Sequence, residues 1–467
     1  MTLQENGELS QEQIQLINNR IASDSRVFLG YHRYYEADNP AIIDATNKAK
    51  PDNRVPCAFV GKIVDTMKGY MFKPNYITYQ TSGKYAEQLN ELFMANNEPL
   101  KTGEIATDAL TCGVGYELLR VDEEAKTIRQ YRIRPETGCV VYDNTLDEKI
   151  IAFVHIVTTE SDDITMTKTY IMTIYYKDHY VEYESLNNGI WTEAGRKDHP
   201  FNAVPVSPFY INADRRPLFE KVIPIINEHD KIISSNYANE NERFANAYLA
   251  LLKKIDNVTK DENGKTADQR IAEIRMFDGL GQGGEVSNVN NAVGFITKPS
   301  RGNDISESAD RFERLIYDLA MVINPNDDSL GVSSGIALKM KMLPMEFKAA
   351  DIEAYFSKGL QRRFMLLENA KTITNYTPEQ VTISFKRNIP SDLEALSVTA
   401  GNLKGILSDE SIIGLFPRDI VPNIQEELDR LANTMVLQNV EQVNNDSDND
   451  SSNDISSNDE DIEDDTN

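Results

Sequence analysis

One stretch constrains the fold more than any other: Asn324-Pro325-Asn326-Asp327-Asp328-Ser329-Leu330-Gly331-Val332-Ser333-Ser334-Gly335, with the helical pattern that follows it. Its polar, turn-forming residues, one Pro and two Gly place a loop between two helical segments. Ser333 or Ser334 is a ready N-cap for the second segment. From Ile336 to about Thr372 the spacing predicts one helix, with Lys339, Lys341 and Lys348 in its first turns and Pro344 inside it. An interior proline removes a backbone donor and predicts a kink. Two long helices joined by an exposed loop, in a chain with no recognisable catalytic constellation, suit a protein that pushes a loop into a space shared with copies of itself.

At 467 residues the chain is too long for one ordinary core and predicts two to four structural units. No apolar run approaches the roughly 18 residues of a transmembrane helix, so no membrane partner is expected. The opening MTLQENGELSQEQ lacks the basic-then-apolar order of a signal peptide. Cys57, Cys112 and Cys139 form no C-x-x-C and read as buried thiols in a reducing compartment. The net charge is −26; residues 441–467 carry 11 acidic and no basic residues, which leaves −15 on the remainder. Such a surface does not hold nucleic acid tightly, because phosphate neutralisation needs Lys and Arg. It is compatible with DNA passing by without sticking.

The N-terminal part reads as one α+β unit over residues 1–215. Residues 10–35 are helical, with a capping box at Ser10 and Gln13 and one apolar face at Ile14, Ile17 and Ile21. Val55–Met71 and Lys84–Asn96 are further helices; Pro99 interrupts the latter pattern, and Ile105–Leu110 adds a turn or two. Strands are expected at Gly115–Val121, Thr127–Ile133, Cys139–Tyr142, Ile150–Thr158, Met166–Tyr176, His179–Ser185 and Ile190–Glu193. Trp191 is expected to pack from the last of these.

From Pro217 the pattern changes. Pro217–Lys254 reads as one long helix, apolar at its ends and polar all round in its middle, as in a solvent-bridging helix. Residues 255–303 form an insertion with a helix (Ala267–Phe277), a Gly-rich turn and a strand (Val293–Lys298). The helix Asp304–Val322 returns, so two long helices flank a small α/β tip. A strand (Val381–Arg387) and helices around Asp392–Leu407 and Asn423–Leu437 follow the bent helix. The Asn/Asp/Ser tail from Glu441 has too little apolar surface to fold and is expected to be disordered.

Short motifs carry little chemistry. Gly279-x-Gly281-x-x-Gly284 has dinucleotide-fingerprint spacing but follows a helix and opens none, so a turn explains it better. No G-x-x-x-x-G-K-[ST] occurs, so no ATP hydrolysis is expected. Asp446-x-Asp448-x-Asp450 starts like a calcium loop, yet Ser451 and Ser457 stand where its glycine and final glutamate belong. His32, His155, His179, His199 and His229 are scattered without H-E-x-x-H or a Cys partner, so neither a metal nor a cofactor is expected. Gly113-x-Gly115 beside Cys112 reads as a turn before a strand rather than a nucleophile elbow.

Several separated blocks resemble the portal (head–tail connector) proteins of tailed bacteriophages, of the type found in siphophages of Gram-positive hosts. The resemblance covers roughly residues 30–435. Tyr34-Tyr35-Glu36 resembles an early Tyr-Tyr block, with Ala37 in place of the usual glycine. Asn53-Arg54-Val55, Ile63-Val64-Asp65-Thr66, Gly69-Tyr70 and Lys73-Pro74 resemble the next, with Phe72 where glycine is commoner. Gly113-Val114-Gly115-Tyr116-Glu117-Leu118 resembles the start of a strand. Val204-Pro205-Val206, Phe219-Glu220, Asp230-Lys231 with Ser234 and Ser235, and Asn239 to Phe244 resemble the approach to a stem helix and its body. Ser333-Ser334-Gly335-Ile336-Ala337-Leu338-Lys339 is the sharpest match, at the start of a tunnel helix.

The resemblance implies a virion protein, assembled in the host cytoplasm into a dodecameric ring at one capsid vertex. Its layout makes residues 1–215 a wing, with tunnel helix and wing strand from 336–389. Stem helices fall at 216–254 and 304–322, a clip at 255–303, a tunnel loop at 323–335, a crown at 390–440 and the acidic tail at 441–467. It further implies double-stranded DNA in the channel, with Asn324, Asn326, Asp327, Asp328, Ser329, Leu330, Gly331 and Val332 as the loop that meets it. Lys339, Lys341 and Lys348 would make weak phosphate contacts, or else solvate a face and pair with Glu346 and Asp351. The clip turn at Asp278, Gly279, Gly281 and Gly284 would dock the large terminase subunit and later a head-completion adaptor; scaffold and major capsid protein are the other implied partners. Two other classes stay open: a ring-forming assembly adaptor without DNA, and an α+β enzyme with a helical appendage.

Overall fold

The computed structural model describes residues 7–45, 53–81, 84–122, 127–160, 168–186, 189–234, 248–251, 264–266, 293–296, 302–327, 335–370, 381–388, 393–416, 420–421 and 424–432. The chain divides into two compact units, Met1–Asn388 and Ile389–Asn467.

Helix α1 (Gln11–Tyr35) starts where the sequence places it: the Gln13 amide donates to Ser10 Oγ at 3.3 Å and the Ser10 amide to Gln13 Oε1 at 2.9 Å. It ends in a Schellman motif, with Ala37 N–H donating to Tyr34 O (3.2 Å) and Asp38 N–H to Arg33 O (2.7 Å). The motif requires a left-handed residue, and Ala37 supplies it at φ 57°. Short α2 (Pro40–Ile43), α3 (Phe59–Met71) and α4 (Lys84–Asn96) follow. The expected break is present, since α4 ends at Asn96, and Pro99 also opens the next helix, which is longer than the turn or two expected. Helix α5 runs Glu98–Cys112 with Pro99 in its first turn, where a missing N–H loses no bond. Gly113 at φ 84° caps it; a Cβ there would lie 2.4 Å from Arg215 O.

Three antiparallel sheets complete this part. Strands β4 (Gly138–Tyr142), β5 (Ile150–Glu160), β6 (Lys168–Tyr175), β7 (His179–Leu186) and β8 (Thr192–Asp198) form a five-stranded meander in sequence order. The apolar face of α1 packs on it: Ile14, Ile17 and Ile21 meet Val141, Val154, Met172 and Val181. Trp191 joins that core from the residue before β8, not from a strand. Strands β3 (Thr127–Ile133), β2 (Val114–Asp122) and β9 (Val206–Tyr210) form a second sheet. Strand β1 (Ile77–Gln80) pairs with β12 (Thr382–Phe385), Ile77 opposite Phe385.

The expected single helix Pro217–Lys254 is not what the structure contains. A 3-10 turn at Glu220–Val222 leads into α6 (Ile223–Ile232), and Tyr248–Leu251 is strand β10, paired with β11 (Val293–Ile296). A short apolar run reads equally as helix or strand, and the partner decides. The helix expected at Ala267–Phe277 lies outside the described residues. Helix α7 (Gly302–Ala320) packs on α6, and α8 (Gly335–Asn369) is one helix through Pro344. In the second unit, α9 (Leu393–Leu403) and α10 (Asp409–Ile413, capped by Ser408) precede a helical stretch at 424–432. The tail 441–467 lies outside the described residues.

The large core joins α3, α5, α7 and α8: Ile63, Met67, Ala106, Leu110, Ile316, Met345, Ile352, Phe356 and Leu360 are buried together. Helix α8 approaches β9 so closely that a Cβ on Gly359 would sit 2.5 Å from the Phe209 ring. Next to this contact, Arg363 is fully buried. It reaches Glu98 at 2.6 Å, Glu117 at 2.8 Å and Thr102 Oγ1 at 2.9 Å, while Tyr79 OH donates to Glu98 at 2.7 Å. Burial opposes its charge, but the flanking carboxylates outweigh that and hold the guanidinium above its ordinary range.

Two outcomes follow. Arg363→Met strands two buried carboxylates and is expected to cost about 3–5 kcal/mol, measured by urea unfolding. Ala37→Gly relieves a left-handed alanine and is expected to raise stability by about 1 kcal/mol in the same measurement.

Candidate functional site

The helix–loop–helix singled out in the sequence begins with a second Schellman motif. Met321 takes φ 56°, its N–H donating to Asp318 O (3.2 Å) and that of Val322 to Tyr317 O (3.1 Å). The chain then turns on Asn324. Its Oδ1 accepts from the Asn326 amide at 3.0 Å, its carbonyl from the Asp327 amide at 3.2 Å, and its Nδ2 donates to Glu313 Oε1 at 3.2 Å. This Asx turn ties the loop root back to α7. Of the loop residues singled out, Asn324, Asn326 and Asp327 are described; Asp328, Ser329, Leu330, Gly331 and Val332 lie outside the described residues, as do Ser333 and Ser334. Pro325 and Asn326 form one wall of an open groove of about 680 Å³, whose other walls carry Tyr35, Glu36, Lys62 and Asp65.

At the start of α8, Lys339 and Lys341 are exposed, while Lys348 is half-buried. Burial, then neighbouring Lys221, lowers the Lys348 pKa, and Asp351 partly offsets them. Glu346 is taken by Arg387 at 3.1 Å and by the Tyr70 hydroxyl. The three lysines therefore occupy two environments: two are exposed and one is partly enclosed. Asp278, Gly279, Gly281 and Gly284 lie outside the described residues.

With the geometry in place, comparison with known proteins decides the family. A family model described as "Phage portal protein, SPP1 Gp6-like" matches residues 16–434. The chain belongs to this family of phage portal proteins. A relative named "Portal protein" from Clostridium phage phiCD119 is 21% identical over 388 residues, covering 78% of this chain and 82% of its own. Among solved structures, "Neck of native GTA particle computed with C12 symmetry" has a TM-score of 0.43 at 13% identity, covering 84% of this chain and 93% of that one. "Virion of native gene transfer agent (GTA) particle" has 0.43 at 14%, covering 83% and 92%. At these values the assignment rests on the family match.

The two departures from the portal pattern now separate. Ala37 occupies a left-handed position, so glycine there answers a backbone demand that this chain leaves strained. Phe72 has φ −121° and makes no such demand; its ring packs on Phe356 at 4.8 Å. His229 does have a cysteine partner: among the described residues, Cys57, His229 and Asp230 bring donor atoms within 4.8 Å of one another. Cys57 and His229 are far apart in sequence, and no local spacing signals their meeting. His32 likewise lies 3.5 Å from Cys112 Sγ and 3.6 Å from Glu136.

Asn324→Ala removes the turn bonds at the loop root. It is expected to speed amide exchange at Asn326 about 5-fold, the equivalent of about 1 kcal/mol, with little effect on amides of the core helices.

Proposed function

We propose that the protein closes into a dodecameric ring at one vertex of the phage capsid, forming the channel through which double-stranded DNA is packaged and later ejected. The observation that carries this reading is the portal-family match across residues 16–434, which spans nearly all of the chain outside the acidic tail. In this reading residues 1–215 with 336–389 are the wing and tunnel helix, 216–254 and 304–322 the stem, 255–303 the clip, 323–335 the tunnel loop and 390–440 the crown. The clip docks the large terminase subunit during packaging and a head-completion adaptor afterwards, and the ring's outer surface meets scaffold and major capsid protein. The protein then resides in the virion after assembly in the host cytoplasm.

The mechanism is mechanical and electrostatic. Twelve chains of net charge −26 surround the duplex with a formal charge of about −300 before counterions condense. A polyanion slides along such a wall because nothing on it holds phosphate strongly. Exposed Lys339 and Lys341, close in sequence to the loop, give weak and salt-dependent contacts that centre the duplex without arresting it. Asp327 and Asp328 in the loop repel phosphate, and Gly331 gives the backbone freedom to yield. The described helices include none long and apolar enough to cross a membrane.

Deletion of Asn324–Val332 is expected to leave ring formation intact by negative-stain microscopy while abolishing or slowing DNA packaging in a reconstituted packaging assay. Normal packaging by that variant counts against the loop's role. Failure of the intact protein to form hollow rings counts against the portal reading altogether.

A further inference from the structure

Outside the loop and the lysines, the structure gathers three metal-ligating side chains from distant parts of the chain. Cys57 lies in the segment just before α3, and His229 and Asp230 lie near the end of α6. The three donor atoms lie within 4.8 Å of one another. His229 Nδ1 is 3.2 Å from Asp230 Oδ1, and their side chains are 6% and 0% exposed. Zinc–nitrogen and zinc–oxygen bonds of about 2.0–2.1 Å at a tetrahedral centre put their donors about 3.3 Å apart. The spacing is that of two adjacent ligands on one ion.

The surroundings are those of a built site. Asn39 Nδ2 donates to Asp230 Oδ2 at 2.8 Å, and Asn39 is itself held by the Ala41 amide, which donates to its Oδ1 at 3.0 Å. That is the outer-shell support that orients a ligating carboxylate. The Phe59 ring stands edge-on to the His229 imidazole at 4.7 Å and fixes its plane. Cys57 is half-buried beside this pair.

We propose that Cys57, His229 and Asp230 form a binding site for a zinc-class divalent cation, with water at the fourth corner, that pins the N-terminal end of α3 to α6. A thiolate, an imidazole and one carboxylate select zinc, or cobalt as its stand-in, over magnesium and calcium, which take oxygen ligands. On binding, the thiol proton leaves to solvent, and the His229–Asp230 hydrogen bond gives way to two bonds to the ion. The site joins the segment before α3 to the helix that packs on α7. It is independent of whether the chain forms a ring.

The test uses the full-length protein, stripped with a chelator and titrated with Co²⁺. One equivalent per chain is expected to give thiolate-to-cobalt charge transfer in the near ultraviolet and the intense visible bands of a tetrahedral site, both displaced by Zn²⁺. Cys57→Ser removes the charge-transfer band, whereas Cys112→Ser and Cys139→Ser leave it. Asn39→Ala weakens binding about 10- to 100-fold, as the loss of an outer-shell partner does. Absence of the thiolate band, or its survival in Cys57→Ser, overturns the site and leaves a hydrogen-bonded cluster in its place. Should the Asn39 variant fail to fold, alkylation of Cys57 in the native protein decides: Zn²⁺ is expected to slow it at least ~10-fold, and equal rates with and without Zn²⁺ overturn the proposal.

Discussion

The interaction on which the rest of the structure depends is the guanidinium of Arg363 between Glu98 and Glu117. Two carboxylates cannot sit together in an apolar core unless a cation joins them, because an unpaired buried charge costs several kcal/mol. Glu98 opens α5, Glu117 lies on the central strand of a sheet, and Arg363 arrives on α8 some 250 residues later. None of the three elements can be buried in this way without the other two. The planar fork matters: Nε serves one carboxylate while Nη1 and Nη2 serve the other and Thr102, a division that a lysine ammonium cannot reproduce. The next residue extends the lock. Arg362 donates to the carbonyls of Val206 (2.6 Å) and Val204 (3.0 Å) at the start of β9, and burial pulls its pKa down to about 10. One turn of α8 thus grips both the helix–sheet layer and the edge of β9, while Gly359 allows the backbone to come close enough for both.

What the sequence made legible was local. The capping box of α1, the period-3.6 faces of α3, α4 and α8 and the alternating strands of the meander are each written within a dozen residues, and the structure contains them. What it hid was non-local. Strand β1 is four residues long and acquires its identity only from β12, more than 300 positions away. Tyr248–Leu251 carries an apolar pattern that suits a helix end as well as a strand, and β11 decides it. Pro99 was ambiguous for a different reason: a proline both ends and begins helices, and the choice depends on whether the next turn has a core to face. Here it does, since Ile105, Ala106, Ala109 and Leu110 point into the main core.

The candidate sites divide along the same line. The loop between α7 and α8 was visible because turn chemistry is local, and the Asn324 turn follows from the ability of an Asn side chain to bond the backbone two residues on. The meeting of Cys57 with His229 and Asp230 left no trace in spacing. The only hint was two adjacent ligand-type residues on an otherwise apolar helix face, a pattern that most often means nothing. Ala37 is the intermediate case. A resemblance pointed to glycine at that position, and only the φ of 57° gives the physical reason.

Electrostatics links this architecture to the proposed channel. Many of the chain's arginines are paired with its own carboxylates: Arg132 with Asp108, Arg33 with Asp38 and Asp44, Arg387 with Glu346 and Glu353, and buried Arg363 with Glu98 and Glu117. A guanidinium paired with a carboxylate adds nothing to the far field, so the acidic excess of −26 is left to the surface and the tail. Fixing positive charge in structural pairs therefore has two effects at once. It makes the helices and sheets adhere to one another, and, in the channel proposed above, it leaves a wall with fewer free guanidinium groups to hold phosphate. A portal subunit built mainly on exposed, unpaired arginines would have the opposite property, since each free guanidinium facing the duplex would add a bidentate phosphate contact and slow its passage.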